Sequence, residues 1–119
     1  MVRTLDKGGQ SNIDAAKTVV VRDESEWKKL WQAHAPDKTP PAVDFSKDMV
    51  VGVFLGSKPT SGYSVDIVGT RQDGGATIVE YKETAPARDA MTAQVLTMPY
   101  AIAAVPARPG DVRFERTSR

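Results

Sequence analysis

Cysteine is absent from this chain of 119 residues, and histidine occurs once. Without thiols there are no disulfides and no thiolate chemistry, and one imidazole cannot supply the several His or Cys ligands of a zinc site. No apolar run approaches the roughly 20 residues that span a bilayer. The opening Met1-Val2-Arg3-Thr4-Leu5-Asp6 lacks the apolar core of a signal peptide, although a leader already removed would leave the same sequence. Charge of one sign is missing too. Sixteen basic residues against 15 acidic give a net charge of +1, so no whole-molecule field draws in nucleic acid or anionic lipid. Arg113, Arg116 and Arg119 make a basic tail that Glu115 interrupts, and nucleic acid is not an expected partner.

What is present fits one globular domain over 1–119, with 40% hydrophobic and 26% charged residues. A chain of this size buries about two-thirds of its unfolded surface without staples. There is no internal repeat and no low-complexity tract.

The β-branched stretch Lys17–Arg22 reads as a strand. Asp23 follows as a helix N-cap, with Glu26 three residues on, close to a capping box. Trp27, Leu30, Trp31 and His34 then recur at i, i+3, i+4 and i+7, which predicts one amphipathic helix over 24–34 with its tryptophans packed on a sheet. His34, at the end of that helix, is expected to complement the helix dipole. Ala35–Asp48 carries Pro36, Pro40 and Pro41 and reads as a surface connector.

Strand patterns follow at Met49–Gly56, Tyr63–Ile67, Ala76–Lys82, Val95–Val105 and Asp111–Arg116. Asp73-Gly74-Gly75 and Arg108-Pro109-Gly110 are read as turns between neighbours. Pro99 cannot donate to a ladder, so an edge strand or a bulge is expected there. The alternation in Met49–Leu55 suggests a central strand covered on both faces. The whole is a mostly β, α+β pattern: an antiparallel sandwich or half-barrel of about six or seven strands with one helix near the N-terminus.

The residue types that carry chemistry do not converge in the sequence. His34 has no Gly-x-Ser-x-Gly elbow to serve. Asp44 and Asp48 lie in the proline-flanked connector and form no calcium-ligand run. Gly56–Gly62 superficially suggests a phosphate loop, but Tyr63 stands where Lys-Ser/Thr is required and Pro59 removes an N–H from the cradle. Strand alternation sends Glu80 and Glu83 to opposite faces, away from the paired geometry of glycoside hydrolysis. No catalytic residue, metal ligand or cofactor is assigned, and the chain is read as non-enzymatic.

The loop Ser57–Gly62, read as the link of a central hairpin, has the strongest local signal. Pro59 fixes one φ, Gly62 permits positive φ, and Thr60 and Ser61 can hydrogen-bond the nearby backbone. A preordered loop loses little entropy on binding, which makes it a candidate recognition element.

Several motifs, in order, resemble the C-terminal domain of the PrcB family, named for an accessory subunit of a bacterial secreted protease complex. They are Lys7-Gly8-Gly9-Gln10-Ser11, Glu26-Trp27 to Trp31, Val43-Asp44-Phe45-Ser46, Gly56 through Val65, and Leu96-Thr97-Met98-Pro99-Tyr100. The resemblance implies a non-catalytic domain of the periplasm or cell envelope that supports a protease partner, with no active site to transfer. Pro59-Thr60-Ser61-Gly62-Tyr63 is also similar to the first loop of chagasin-type cysteine protease inhibitors, with Lys58 in place of their Asn; Arg108-Pro109 matches part of their third motif. The expected partner-binding set is therefore Lys58, Pro59, Thr60, Ser61, Gly62, Tyr63, Pro99, Tyr100 and Arg108, in a monomer or weak dimer. Two other roles follow from the same residues: direct protease inhibition, or a glycan- or peptide-binding envelope domain with Trp27 and Trp31 lining a groove.

Overall fold

A computed structural model describes residues 2–117; the Arg119 end of the basic tail lies outside the described residues. The strands are β1 (Arg3–Gly8), β2 (Ala16–Val21), β3 (Asp48–Leu55), β4 (Ser64–Asp73), β5 (Ala76–Thr84), β6 (Tyr100–Pro106) and β7 (Val112–Arg116), and the helix is α1 (Glu24–His34). One sheet has the order β1-β6-β3-β2 and the other β4-β5-β7. The fold is mostly β, a sandwich of two sheets with the helix as a third layer on the four-stranded one.

The helix starts where the sequence places it. Asp23 Oδ1 accepts from the Glu26 N–H at 2.8 Å, while Glu26 reaches back to the Arg22 N–H at 3.0 Å, a capping box displaced by one residue. Strand alternation then divides β3 and β6 between two cores. Val50, Phe54, Tyr100 and Ile102 face α1 and pack with Trp27, Leu30 and Trp31. Met49, Val51, Val53, Ala101, Ala103 and Val105 face the second sheet and pack with Val65, Ile67 and Val79. The two-sided coverage of β3 is as the sequence suggests, and Trp27 and Trp31, 1% and 4% exposed, are core residues, with Trp31 also bordering a surface cleft beside Lys28, Gln32, Pro36 and Pro40. Their indole N–H groups hold the connector over the helix: Trp27 donates to the Pro41 carbonyl at 3.0 Å and Trp31 to that of Lys38 at 2.8 Å. On the opposite face, Ala101 and Ala103 are small enough for β4 to lie with Cα atoms within 8 Å of β6, closer than the ≈ 10 Å usual for stacked sheets.

Four details differ from the sequence reading. The segment between β3 and β4 is not a hairpin turn, because it crosses from one sheet to the other. Pro99 lies at neither an edge nor a bulge. It immediately precedes β6, which pairs on both sides, so the ladder never calls on the missing N–H; the Pro99 carbonyl instead accepts from the Leu55 N–H at 3.0 Å. The sandwich is not wholly antiparallel, since Arg108-Pro109-Gly110 also crosses between sheets and delivers β7 parallel to β5. The Arg22 guanidinium clamps that crossing by donating to the Arg108 carbonyl at 2.7 Å and the Gly110 carbonyl at 2.9 Å. Finally, β1 is an additional strand; its charged sequence with one central leucine gave no apolar alternation to read.

Two substitutions test this arrangement. Trp27→Ala empties the centre of the helix-side core and is expected to cost about 3–5 kcal/mol, measured by denaturant unfolding, while acrylamide should quench the native tryptophans only weakly. Gly110 has a φ of 95°, and a Cβ there would sit 2.4 Å from the Gly75 carbonyl oxygen. Gly110→Ala should therefore lower stability by about 2 kcal/mol or more, detected as a reduced unfolding midpoint.

Candidate functional site

The crossing segment 56–63 and the long connection 85–99 meet at one end of the sandwich. Lys58 and Thr97 form an isolated antiparallel bridge, with the Lys58 N–H donating to the Thr97 carbonyl at 2.7 Å and the Thr97 N–H to the Lys58 carbonyl at 2.9 Å. Thr97 Oγ1 donates to the Thr60 carbonyl at 3.0 Å, and Thr60 Oγ1 to the Ser61 carbonyl at 3.0 Å. Ser61 pairs with Ala93 twice: its N–H donates to the Ala93 carbonyl at 3.1 Å, and its Oγ accepts from the Ala93 N–H at 2.9 Å. Gly62, at φ 97°, backs onto Pro86, where a Cβ would lie 2.8 Å from the proline ring. The Lys58 ammonium stands 5.4 Å from the centre of the Tyr63 ring, within cation–π range. The hydroxyls of Thr60 and Ser61 thus serve the loop's internal order. The exposed or half-exposed surfaces of Lys58, Pro59, Gly62 and Tyr63 remain to meet a partner.

The same end carries apolar surface absent from the expected set. Met91 is fully exposed, Leu96 is 63% exposed and Val95 47%. The sequence pattern assigned Val95 and Leu96 to a strand. The signal against that reading was Pro99, which starts β6 after itself and strands these residues outside the ladder.

Three expected residues fall elsewhere. Pro99 and Tyr100 are buried, because they enter the central strand of the larger sheet, and direct contact with a partner is closed to them. Arg108 is exposed but stands at the other end of the sandwich. The pairing of Asp48 with Pro106 and of Phe54 with Tyr100 puts the end of β6 beside the start of β3, so the length of β3, about 23 Å at 3.3 Å per residue, separates Arg108 from the loop.

Beneath the site lies a polar chain inside the helix-side core. Ser11 Oγ is 2.7 Å from His34 Nδ1, and His34 Nε2 is 2.9 Å from Asp6 Oδ2. The Ile13 N–H donates to Ser11 Oγ at 3.0 Å, and the Asp6 carboxylate, which can only accept, takes its hydrogen bond from His34 Nε2. The Tyr100 hydroxyl donates to the same carboxylate, and Lys38 Nζ stands 3.7 Å from it. His34 is therefore a buried member of a network rather than a simple helix-end residue. Burial alone would push the Asp6 carboxyl up, but the hydrogen bonds from His34 and Tyr100, with the positive Lys38, outweigh it and hold the group below the ordinary aspartate value. Burial first, and then the bond to Asp6, push the Tyr100 phenol well above its usual range. This chain braces the site, because Ser11 also donates its N–H to the Met98 carbonyl at 3.0 Å and Met98 its own to Gly9 at 2.9 Å.

A depressed folded-state pKa gives stability that is complete above the unfolded aspartate value near 3.9 and is lost as pH falls through the folded value. Asp6→Asn should cost about 2–3 kcal/mol near neutral pH, and the gap from wild type in unfolding free energy should close below about pH 4. A gap of equal size at pH 6 and pH 2.5 would refute the role of the carboxylate charge.

Comparison with known proteins places the site in a family segment. No curated protein and no solved structure matches the chain significantly. The family model described as PrcB C-terminal matches residues 49–106, a span that begins in β3, ends with β6 and contains both the Lys58–Tyr63 loop and the connection that seats it. Lys7–Ser11, Glu26–Trp31 and Val43–Ser46, which also contribute to the resemblance, lie before it. Over residues 49–106, just under half of its length, the chain is similar to the PrcB C-terminal family.

Proposed function

We propose that this chain is a non-enzymatic protein-interaction domain, an accessory or stabilising partner in a protease complex of the bacterial envelope. The observation that carries the reading is the preordering of the Lys58–Tyr63 loop by backbone and hydroxyl bonds to Thr97 and Ala93. Little freedom is left in it to lose on binding. Met91, Val95 and Leu96 add solvent-facing apolar surface of the kind that protein interfaces cover. The family match supplies the link to a protease complex.

A non-catalytic role is supported by the one place where serine, histidine and aspartate meet. Ser11 is 2% exposed and His34 1%, and Ser11 Oγ already accepts the Ile13 N–H, so the hydroxyl has no approach for a substrate carbonyl. The chagasin-like alternative has less support, since inhibitor loops must reach one enzyme cleft together and Arg108-Pro109 stands at the far end of the sandwich.

The reading is tested by affinity capture from envelope extract with wild type, with the Thr60→Arg/Tyr63→Ala double variant, and with Leu96→Asp, all checked for native circular dichroism. A protease retained by wild type should be lost from both variants. Retention of the same proteins by all three would reduce the loop to a structural crossing.

A further inference from the structure

We propose that the tip of the 85–99 connection, Ala87–Met91, is a native-state cleavage site for endopeptidases whose primary pocket holds a carboxylate. Arg88 would enter that pocket, and the domain would survive the cut as two paired fragments. The inference rests on local order and does not require the partner reading above.

A protease must draw several residues into extended conformation, so a basic residue invites cleavage only where its backbone is released at little cost. Most described lysines and arginines sit in strands or in α1. The exceptions are Arg22, Lys38, Lys47, Lys58, Arg88 and Arg108. Arg22 leads the helix cap and its N–H is held by Glu26. The Lys38 carbonyl is held by Trp31, and that of Lys47 accepts from the Ala107 N–H at 2.9 Å. Lys58 is bound on both sides by Thr97, and Arg108 precedes Pro109, whose imide resists trypsin-type enzymes. Arg88 alone among these makes no hydrogen bond and no ion pair among the described residues. It lies in the exposed run Ala87–Met91, whose one internal bond is the Ala90 N–H to the Ala87 carbonyl at 2.9 Å.

The chemistry is amide hydrolysis. Water adds its oxygen to the Arg88 carbonyl carbon, the bond to the Asp89 nitrogen breaks, and the products are an Arg88 carboxylate and an Asp89 ammonium. The second fragment carries β6 and β7. β6 is paired on one side with β1 and on the other with β3, its residues Tyr100–Val105 are all buried, and β7 is paired with β5. A broken covalent link at the loop tip leaves those ladders and both cores in place.

Limited digestion of the native protein with trypsin, followed by mass spectrometry and gel filtration, tests both halves. The first internal cut should fall after Arg88, with the two fragments coeluting as the intact protein and separating only in denaturant. Arg88→Lys should keep the cut and Arg88→Gln should abolish it without altering the unfolding midpoint. A first internal cut after Lys17, Lys38 or Lys58, or no internal cut under conditions that digest the unfolded chain, would overturn the site. Separation of the fragments in native buffer would overturn the paired product.

Discussion

The antiparallel pairing of β3 with β6 is the constraint on which everything else rests. Each strand is apolar on both faces, which suits a strand covered on both sides and would expose a greasy surface on any other. Their alternation sends Val50, Phe54, Tyr100 and Ile102 to the helix and Met49, Val51, Val53, Ala101 and Ala103 to the second sheet. One ladder therefore serves as the floor of two cores. The helix, the proline-rich connector strapped to it by two indoles, and the three-stranded sheet are coverings for that ladder.

The same ladder aims the candidate site. Where β3 ends and β6 begins, the two crossing segments emerge side by side, and their mutual bonds through Thr97 and Ala93 follow from that shared origin. Tyr100, the first residue of β6, sends its hydroxyl to Asp6, and that carboxylate holds His34 and, through it, Ser11. Burying an anion is costly unless it is fully hydrogen-bonded, and here the satisfied charge joins β1, α1, the Gly9–Ser11 segment and β6. No buried polar side-chain atom among the described residues lacks a partner, so the network adds rigidity without leaving a desolvated group behind.

Much of this is legible in the sequence because it depends on local rules. The helix limits follow from Asp23, Glu26 and the spacing of Trp27, Leu30, Trp31 and His34; β3 follows from a continuous apolar run; the Gly74-Gly75 turn follows from residues that tolerate its backbone. What escapes is set by partners distant in sequence. Whether the segment after β3 turns back or crosses to another sheet depends on which strand is next to it in space, and the same uncertainty hides the parallel entry of β7. His34 shows the division most clearly: its position on the helix face marks it for burial, but nothing near it in the chain announces Asp6, 28 residues earlier. Thr60 and Ser61 were recognisable as bonding residues, while their partners in 93–97 were not. The exposed Val95 and Leu96 were concealed because apolar residues near a strand resemble part of it.

The central place of β6 has a consequence for how the chain is made. β6 occupies residues 100–106, yet it is the strand that joins β1 to β3. Until β6 leaves the ribosome, β1 has no strand partner and the inner edge of β3 is bare. Closing the sheet then means zippering Arg3 against Ala104, a pairing of high contact order that slows folding. Until β6 is in place the chain would expose the inner edge of its most apolar strand, Met49–Leu55, and that bare edge is an aggregation hazard.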